Sequence, residues 1–366
     1  MQTKLSALDL SSEEWNAWLM ERGHPRFAAA QIMRWIFCKG VVNPSDFTNL
    51  SLKLRDELAA SFSFELPLVD SVLNSSDASQ KVLLKTCDGQ LFEMVIMPAD
   101  GRVTLCISSQ VGCKMGCGFC QTGKMGFKRN LTSGEILSQL ILANRFLNEA
   151  GRPNVSNVVF MGMGEPLDNY EAVVKACQIM IHKDFFALSK HRVTVSTSGL
   201  VPEIRRLGVD LPVRLAISLH SPDDVKRSTL MPINRRYPLD ELKKALLEYP
   251  APDRYGITFE YIMIDSLNDS IEDAKKLVRF VHGLKVKVNL IPMNPFPGSP
   301  YKASSKENIR AFQLYLSDRS IPAPVRYSRG PDVSAACGQL AAKRKDELEM
   351  DPRVLHRQRR ALKVIQ

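Results

Sequence analysis

The stretch CISSQVGCKMGCGFCQTG, residues 106–123, carries four of the eight cysteines of a 366-residue chain. Three of them, Cys113, Cys117 and Cys120, are spaced C-x3-C-x2-C in a loop with glycines. A structural zinc site wants four closed ligands, usually in two pairs, and no second C-x2-C or histidine pair is present. An iron–sulfur cluster normally takes four thiolates. Three would leave one iron with an open position, able to bind a small molecule directly. "VTLCIS" (103–108) reads as a short strand before the loop, and "LTSGEILSQLILANRFLNEAG" (131–151) as a helix after it, with the capping box Thr132-x-x-Glu135.

That strand–loop–helix unit is the first of six. The later strands are "NVVFMG", "RVTVST", "VRLAISL", "ITFEYIMI" and "KVNLIPM". Each precedes a helical pattern; the one from Ser270 again carries an S-x-x-D box. Six consecutive units argue for parallel strands joined by right-handed crossovers, hence an α/β fold. Six rather than eight predicts an open, partial (βα)6 barrel. Upstream, residues 1–65 read as a small helical domain, with "SSEEWNAWLMERG" and "RFAAAQIMRWIF" at helical spacing. "QKVLLKTCDGQLFEMVIM" alternates around Asp88-Gly89, which predicts a β-hairpin; 66–98 is taken as a linking hairpin. The barrel then spans 99–340, and 341–366 is a basic C-terminal tail.

Composition narrows the function classes. No apolar run approaches the ~20 residues of a membrane-spanning helix, and the first residues hold no signal-peptide core. A cytoplasmic protein without a membrane partner is expected, and there clustered cysteines read as metal or redox groups. The net charge of +10 leans toward a polyanion such as nucleic acid. The basic residues cluster in "KMGFKRN", "SKHR", two Arg-Arg pairs and the tail "RVLHRQRRALK"; a solvated helix face accounts for the tail equally well.

In a βα barrel the working residues gather at the C-terminal ends of the strands. Those ends read "GMGEP" (162–166), "STSG" (196–199), "SLHS" (218–221) and "NPFPGSPY" (294–301), the composition of a ligand-binding rim. "GMGEP" offers one carboxylate suited to an ammonium group, although a tight strand–helix turn would also need its glycines. His220 could be a satisfied core histidine, Cys106 a buried core thiol, and Cys337 a residue of no special role. Cys38, Cys87 and Cys177 match no motif and read as structural.

The cysteine spacing, on a loop after the first barrel strand, resembles that of the radical S-adenosylmethionine (SAM) superfamily. "TLCISSQVGCKMGCGFC", "FMGMGEPL", "VTVSTSG", "LAISLHSP", "PINRRYPL", "NLIPMNPFPG" and "DVSAACGQL" together resemble the RlmN/Cfr family of radical-SAM RNA methyltransferases, over nearly the whole chain. The resemblance implies a [4Fe–4S] cluster on Cys113, Cys117 and Cys120, with SAM chelating the open iron. It implies SAM contacts from Gly164, Glu165, Ser196, Ser218, Leu219, His220 and Asn294, Glu165 pairing the methionyl ammonium. It further implies two SAM per turnover: one methylates Cys337, and the other yields the 5′-deoxyadenosyl radical that takes a hydrogen atom from that S-methyl group. The methylene radical adds to an adenine carbon of RNA. Cys106 then closes a disulfide with Cys337 and releases the methylated base, and either Cys106 or Glu93 takes the ring proton. One departure is Met293, where family members often have Trp.

The family divides into enzymes that methylate C2 of adenine and Cfr types that methylate C8 and confer antibiotic resistance. "SLHSP" and "RYPLDEL" lean toward Cfr; "STSG" and "NPFPGSPY" match the C2 enzymes, which is the favoured reading. The implied target is adenosine 2503 of 23S rRNA, with adenosine 37 of tRNA left open, and a flavodoxin-like electron donor and a monomer are expected. A radical-SAM activase, which needs neither Cys106 nor Cys337, and a zinc-dependent nucleic-acid-binding module stand as alternatives from other classes.

Overall fold

The computed structural model describes residues 4–99, 101–251, 256–296, 298–340 and 342. Strand β1 (Leu5–Ser6) opens the chain, followed by helices α1 (Ser12–Glu21), α2 (Phe27–Met33) and α3 (Leu52–Ser61). Ser11 and Glu14 make a reciprocal capping box on α1, worth about 1 kcal/mol for the Ser oxygen alone. Strand β2 (Phe62–Ser63) pairs in parallel with β1 and ties the two ends of this helical part together. Trp15, Leu19, Ile32, Ile36, Phe37 and Phe47 are buried between the helices.

Strands β3 (Leu68–Asn74), β4 (Gln80–Lys85) and β5 (Leu91–Ala99) are antiparallel, and β4–β5 is the hairpin expected around Asp88-Gly89, with Gly89 at φ +83°. This region differs from the expected linking hairpin. β5 pairs with β6 (Arg102–Cys106), so the three strands extend the barrel sheet instead of bridging two bodies. A hairpin shows in sequence through its turn; the outer pairing of its strands is set by register alone.

The rest follows the six-unit pattern. Beyond β6, the ribbon of β7 (Gln110–Gly112) and β8 (Phe127–Asn130) brackets the cysteine loop and the short α4 (Gln121–Lys124). Then come α5 (Ser133–Glu149), β9 (Asn157–Phe160), α6 (Tyr170–Ile181), β10 (Val193–Thr197), α7 (Val201–Asp210), β11 (Arg214–Ser218) and α8 (Asp224–Leu230). The chain continues through α9 (Leu239–Glu248), β12 (Ile257–Met263), α10 (Ile271–Val281), β13 (Val286–Pro292) and α11 (Lys306–Ser317). Six parallel strands run in the order β13-β12-β11-β10-β9-β6, and the sheet continues through β5, β4 and β3. Every residue of β12 is buried, as a strand covered on both faces requires.

The sheet leaves a gap between its two edges, and the C-terminal segment crosses it. Val325 pairs in parallel with Leu290 of β13. Further on, Asp332 accepts hydrogen bonds from Ser75 Oγ and the Ser76 amide, and Asp77 accepts one from the Gly330 amide. Ser75–Asp77 form the β3–β4 turn, so the strap runs from one sheet edge to the other with Cys337 just beyond. No described helix is long and apolar enough to cross a membrane. The basic tail lies outside the described residues except for Ala342.

Candidate active site at the strand ends

The three loop cysteines line one cavity with Gly164, Glu165, Ser196, Ser198, Ser218, His220 and Cys337. The loop reaches that position through tight backbone contacts. Cys113 N–H donates to the Gly126 carbonyl, and Gly118 N–H to that of Leu230. Gly112 has φ +75°, and a Cβ there would lie 1.9 Å from the Gly126 oxygen, so only glycine fits. Burial pushes the Cys113 thiol up to about 12 and raises Cys117 and Cys120 as well. A desolvated thiol that must act as a thiolate needs a cationic partner. Three thiols lining one cavity suit a cubane cluster, which takes each on a different iron.

The second wall is the "GMGEP" turn. A Cβ on Gly162 would sit 2.6 Å from the Ile107 carbonyl oxygen, and one on Gly164, at φ +102°, 2.6 Å from the Gln110 Cβ. Both glycines therefore allow this turn to press against the segment leading into the cysteine loop. Glu165 is buried, and desolvation raises its carboxyl above the ordinary range. Its oxygens accept backbone N–H bonds from Ser198 (2.8 Å) and Leu167 (3.2 Å). The Thr197 and Ser198 side chains lie beside the same carboxyl. A carboxylate backed only by neutral donors fits the ammonium of a zwitterionic ligand such as the amino-acid end of SAM.

His220 has φ +56°, and its Nδ1 accepts the Ile262 N–H at 3.1 Å. Its ring meets Phe119 of the cysteine loop edge-on, with centroids 4.5 Å apart. Burial, with Arg227 nearby, lowers its pKa to about 3, so the ring is neutral and carries its proton on Nε2. His220 is thus both a satisfied buried histidine and a cavity wall.

Cys337 enters the same cavity from the strap. Asn294 Nδ2 donates to its carbonyl, and Gln121 N–H donates to the Gly338 carbonyl. The thiol is accessible, yet the concave mouth desolvates it, and Glu260 and Cys120 lie close; together they raise it to about 11. Cys106 at the end of β6 is buried, and its thiol is raised by desolvation and then by the neighbouring Cys337. Cys106 pairs with Val95, which pairs with Lys81, and Glu93 lies two residues along on the same face. Cys106, Glu93 and Lys81 therefore share one side of the sheet. All eight cysteines are free thiols, so the Cys106–Cys337 disulfide implied by the resemblance is not formed in this state.

A radical SAM superfamily model matches residues 107–281, and a model described as the ribosomal RNA large subunit methyltransferase N-terminal domain matches 6–63. The chain is 45% identical to a dual-specificity RNA methyltransferase RlmN from a Nitratiruptor species, covering 92% of this chain and 97% of that one. It is 45% identical to the protein of the same name from Sorangium cellulosum, covering 90% and 93%. The crystal structure of a radical SAM methyltransferase from Sphaerobacter thermophilus superposes with a TM-score of 0.87 at 44% identity, over 93% of this chain and all of that one. The chain belongs to the RlmN family. It is therefore a radical-SAM RNA methyltransferase, and its superfamily implies SAM and a [4Fe–4S] cluster.

Within this RlmN-family cavity two of the anticipated contacts lie elsewhere. Leu219 does not line it: the side chain is in the core, its N–H donates to the Glu260 carbonyl, and its own carbonyl accepts from Arg227 Nε. Asn294 also lies off the cavity wall, holding the backbone of Cys337. Other residues went unnoticed in the sequence. Arg227 is fully buried and donates to the carbonyls of Ser198 (2.6 Å), Ser218 (3.2 Å) and Leu219 (3.2 Å) and to Asn234 Oδ1 (2.7 Å). It staples the ends of β10 and β11 together. Desolvation lowers its pKa to about 10, still well above neutrality. Gln110 accepts the Glu165 N–H and donates to Asp168 and Asn130. Glu260 lines the cavity with a carboxyl raised by burial and held by Asn289 Nδ2. A charged residue inside the apolar run "ITFEYIMI" was the available signal for Glu260; nothing local marks Arg227.

Proposed function

We propose that this RlmN-family enzyme methylates C2 of adenine, at adenosine 2503 of 23S rRNA and adenosine 37 of tRNA, through S-methylation of Cys337 and two SAM per turnover. The observation that carries the reading is the meeting of Cys106 and Cys337, 231 positions apart (337 − 106), beside the three cluster thiols. An activase has no use for that pair. The two curated relatives named above are both called dual-specificity, which supports the tRNA target.

Cys113, Cys117 and Cys120 would hold the cluster, and Glu165 would pair the methionyl ammonium of SAM. Gly164 allows close approach, and Ser196, Ser198, Ser218 and His220 border the remaining surface. When bound, the cluster and SAM supply a methyl group for a thiol and a radical able to abstract hydrogen. The Cys337 thiol gives up its proton and accepts the methyl, releasing S-adenosylhomocysteine. Asn294 and the strap hold that sulfur at the cavity mouth. Cys106 is the resolving thiol that closes on Cys337, and either Cys106 or Glu93 takes the ring proton. The helical domain at 1–65 and the tail at 341–366 grip the RNA. The enzyme works as a cytoplasmic monomer with a flavodoxin-like one-electron donor.

Nucleoside mass spectrometry of 23S rRNA and tRNA, from a host lacking its own enzyme and carrying this gene, tests the assignment. 2-Methyladenosine in both RNAs is expected. 8-Methyladenosine would transfer the chain to the Cfr side, and no new methyladenosine with an intact cluster would overturn the reaction.

A further inference from the structure

Two carboxylates, Glu165 and Glu260, line the cavity that holds Cys337. Both Glu165 oxygens are engaged, by the amides of Ser198 and Leu167. Glu260 is placed differently. Register sets it in one row with Ser218 of β11 and Asn289 of β13, and Ser218 also lines the cavity. Its backbone carbonyl accepts the N–H groups of Leu219 and His220, which fixes the strand at this point. Its Oε1 accepts Asn289 Nδ2 at 2.8 Å, and among the described residues no hydrogen bond reaches Oε2. Arg326 Nε, on the strap, points toward Asn289 Oδ1 at 3.5 Å. Burial raises the Glu260 carboxyl, while Asn289, Lys287 and Arg326 favour its ionised form. Cys337 lies close enough for that carboxylate, with Cys120, to push the thiol up.

A buried glutamate held by one amide can be a polar core contact and nothing more. Glutamine would serve that purpose without the cost of burying an acid. The chemistry at Cys337 supplies a need for the acid. Alkylating a thiol requires that its proton leave, and this thiol, raised to about 11, keeps its proton at neutral pH. The other cavity groups are poor acceptors. His220 Nδ1 is occupied by the Ile262 N–H, and the ring stays neutral down to about pH 3. Cys113, Cys117 and Cys120 are committed to the cluster, and Cys106 is itself a raised thiol.

We infer that Glu260 is the base that takes the Cys337 thiol proton during S-methylation. The inference rests on the reading of Cys337 as the methyl acceptor. The S–H bond breaks and its proton passes to Glu260 Oε2, while the electron pair left on sulfur forms the S–CH3 bond. The bond between that methyl and the SAM sulfonium breaks, and its pair leaves with S-adenosylhomocysteine. A carboxylate lifted above its ordinary range is better matched to this task than an exposed one.

The test mixes trideuteromethyl-labelled SAM with the cluster-reconstituted protein, without reductant or RNA, and follows the label on the Cys337 peptide by mass spectrometry over a pH series. E260Q keeps an acceptor for Asn289 and should methylate about 100-fold more slowly near neutrality. Its rate should climb about tenfold per pH unit as solvent takes the proton instead, whereas the parent levels off once Glu260 is ionised. E260D, with a shorter carboxylate, should fall between the two and keep the parental plateau; it carries the test if E260Q does not fold. Two readouts leave methylation aside. SAM affinity by calorimetry should be parental in E260Q. Iodoacetamide should label Cys337 several-fold faster in SAM-free E260Q, because a neighbouring negative charge is gone. A parental rate and pH profile in E260Q would overturn the assignment. A loss parallel to the parent at every pH, or weakened SAM binding, would make Glu260 a positioning residue or a SAM contact and overturn the proton role. No label on parental Cys337 at any pH would remove the methyl-acceptor reading itself.

Discussion

Lys81 Nζ lies 3.3 Å from Glu93 Oε1 in a buried pair, and the same ammonium reaches the carbonyl of Ser334, three residues before Cys337. The extra strands β4 and β5 therefore do more than widen the sheet. They hold a carboxylate on the Cys106 face and anchor the strap that carries Cys337. Replacing Lys81 with Met should cost about 3–5 kcal/mol, because a buried carboxylate loses its cation. The exposed Arg205–Glu248 pair is the contrast, and R205M should change little. Urea midpoints compare the two, and equal small losses would show that Glu93 tolerates burial without Lys81.

Arg227 connects the carbonyls of Ser198, Ser218 and Leu219 and the Asn234 side chain through a guanidinium with a fixed fork. Lysine offers a single point of donation, so R227K leaves buried carbonyls unpaired. We expect SAM affinity to fall at least about tenfold by calorimetry, with a stability loss of about 2–4 kcal/mol. Parent-like SAM binding would mean that the rim keeps its shape without the staple.

His220 gives a pH signature. It stays neutral in the folded protein down to about pH 3, whereas an unfolded histidine protonates near 6.5. Between those values the unfolded chain binds the extra proton, so stability falls as pH falls, by up to about 1.4 kcal/mol per unit. Asn tolerates positive φ and can accept the Ile262 N–H, so H220N should fold and lose that part of the acid slope. Denaturant titrations at pH 7, 6 and 5 read it; parallel slopes for parent and variant would refute the buried neutral ring.

Gly164→Ala would force a Cβ to within 2.6 Å of Gln110 at φ +102°, while Gly151→Ala, at φ +64°, meets nothing within 4 Å. G151A should cost about 1 kcal/mol from backbone strain alone. G164A should cost more and also weaken SAM binding, because the turn must move away from the cysteine loop. Equal melting temperatures for the two would argue that the turn moves freely.

Cysteine variants separate the cluster from the methyl relay. C117A should lose most iron and the brown colour after reconstitution, while C337A should keep both and yield no methylated RNA. Intact-mass measurement should find the methyl on Cys337 in the parent. Loss of iron in C337A would instead make that thiol a fourth cluster ligand.

Much of this protein was legible in the chain alone. Six strand–helix units declare themselves because period 2 gives way to period 3.6 six times, with capping boxes at Thr132 and Ser270 that the structure retains. The cysteine spacing and the glycines of "GMGEP" are equally local, since a tight turn or a chelating loop is built from neighbours in sequence. Tertiary structure alone decided which distant residues meet. Register turned 66–98 into three strands of the barrel sheet, and the strap between its edges carried Cys337 to Cys106. Burial without a nearby cation gave Glu165 its character, and four acceptors converging from separate segments explain Arg227. Such facts depend on which surfaces lose water together, and no short window of sequence contains that information.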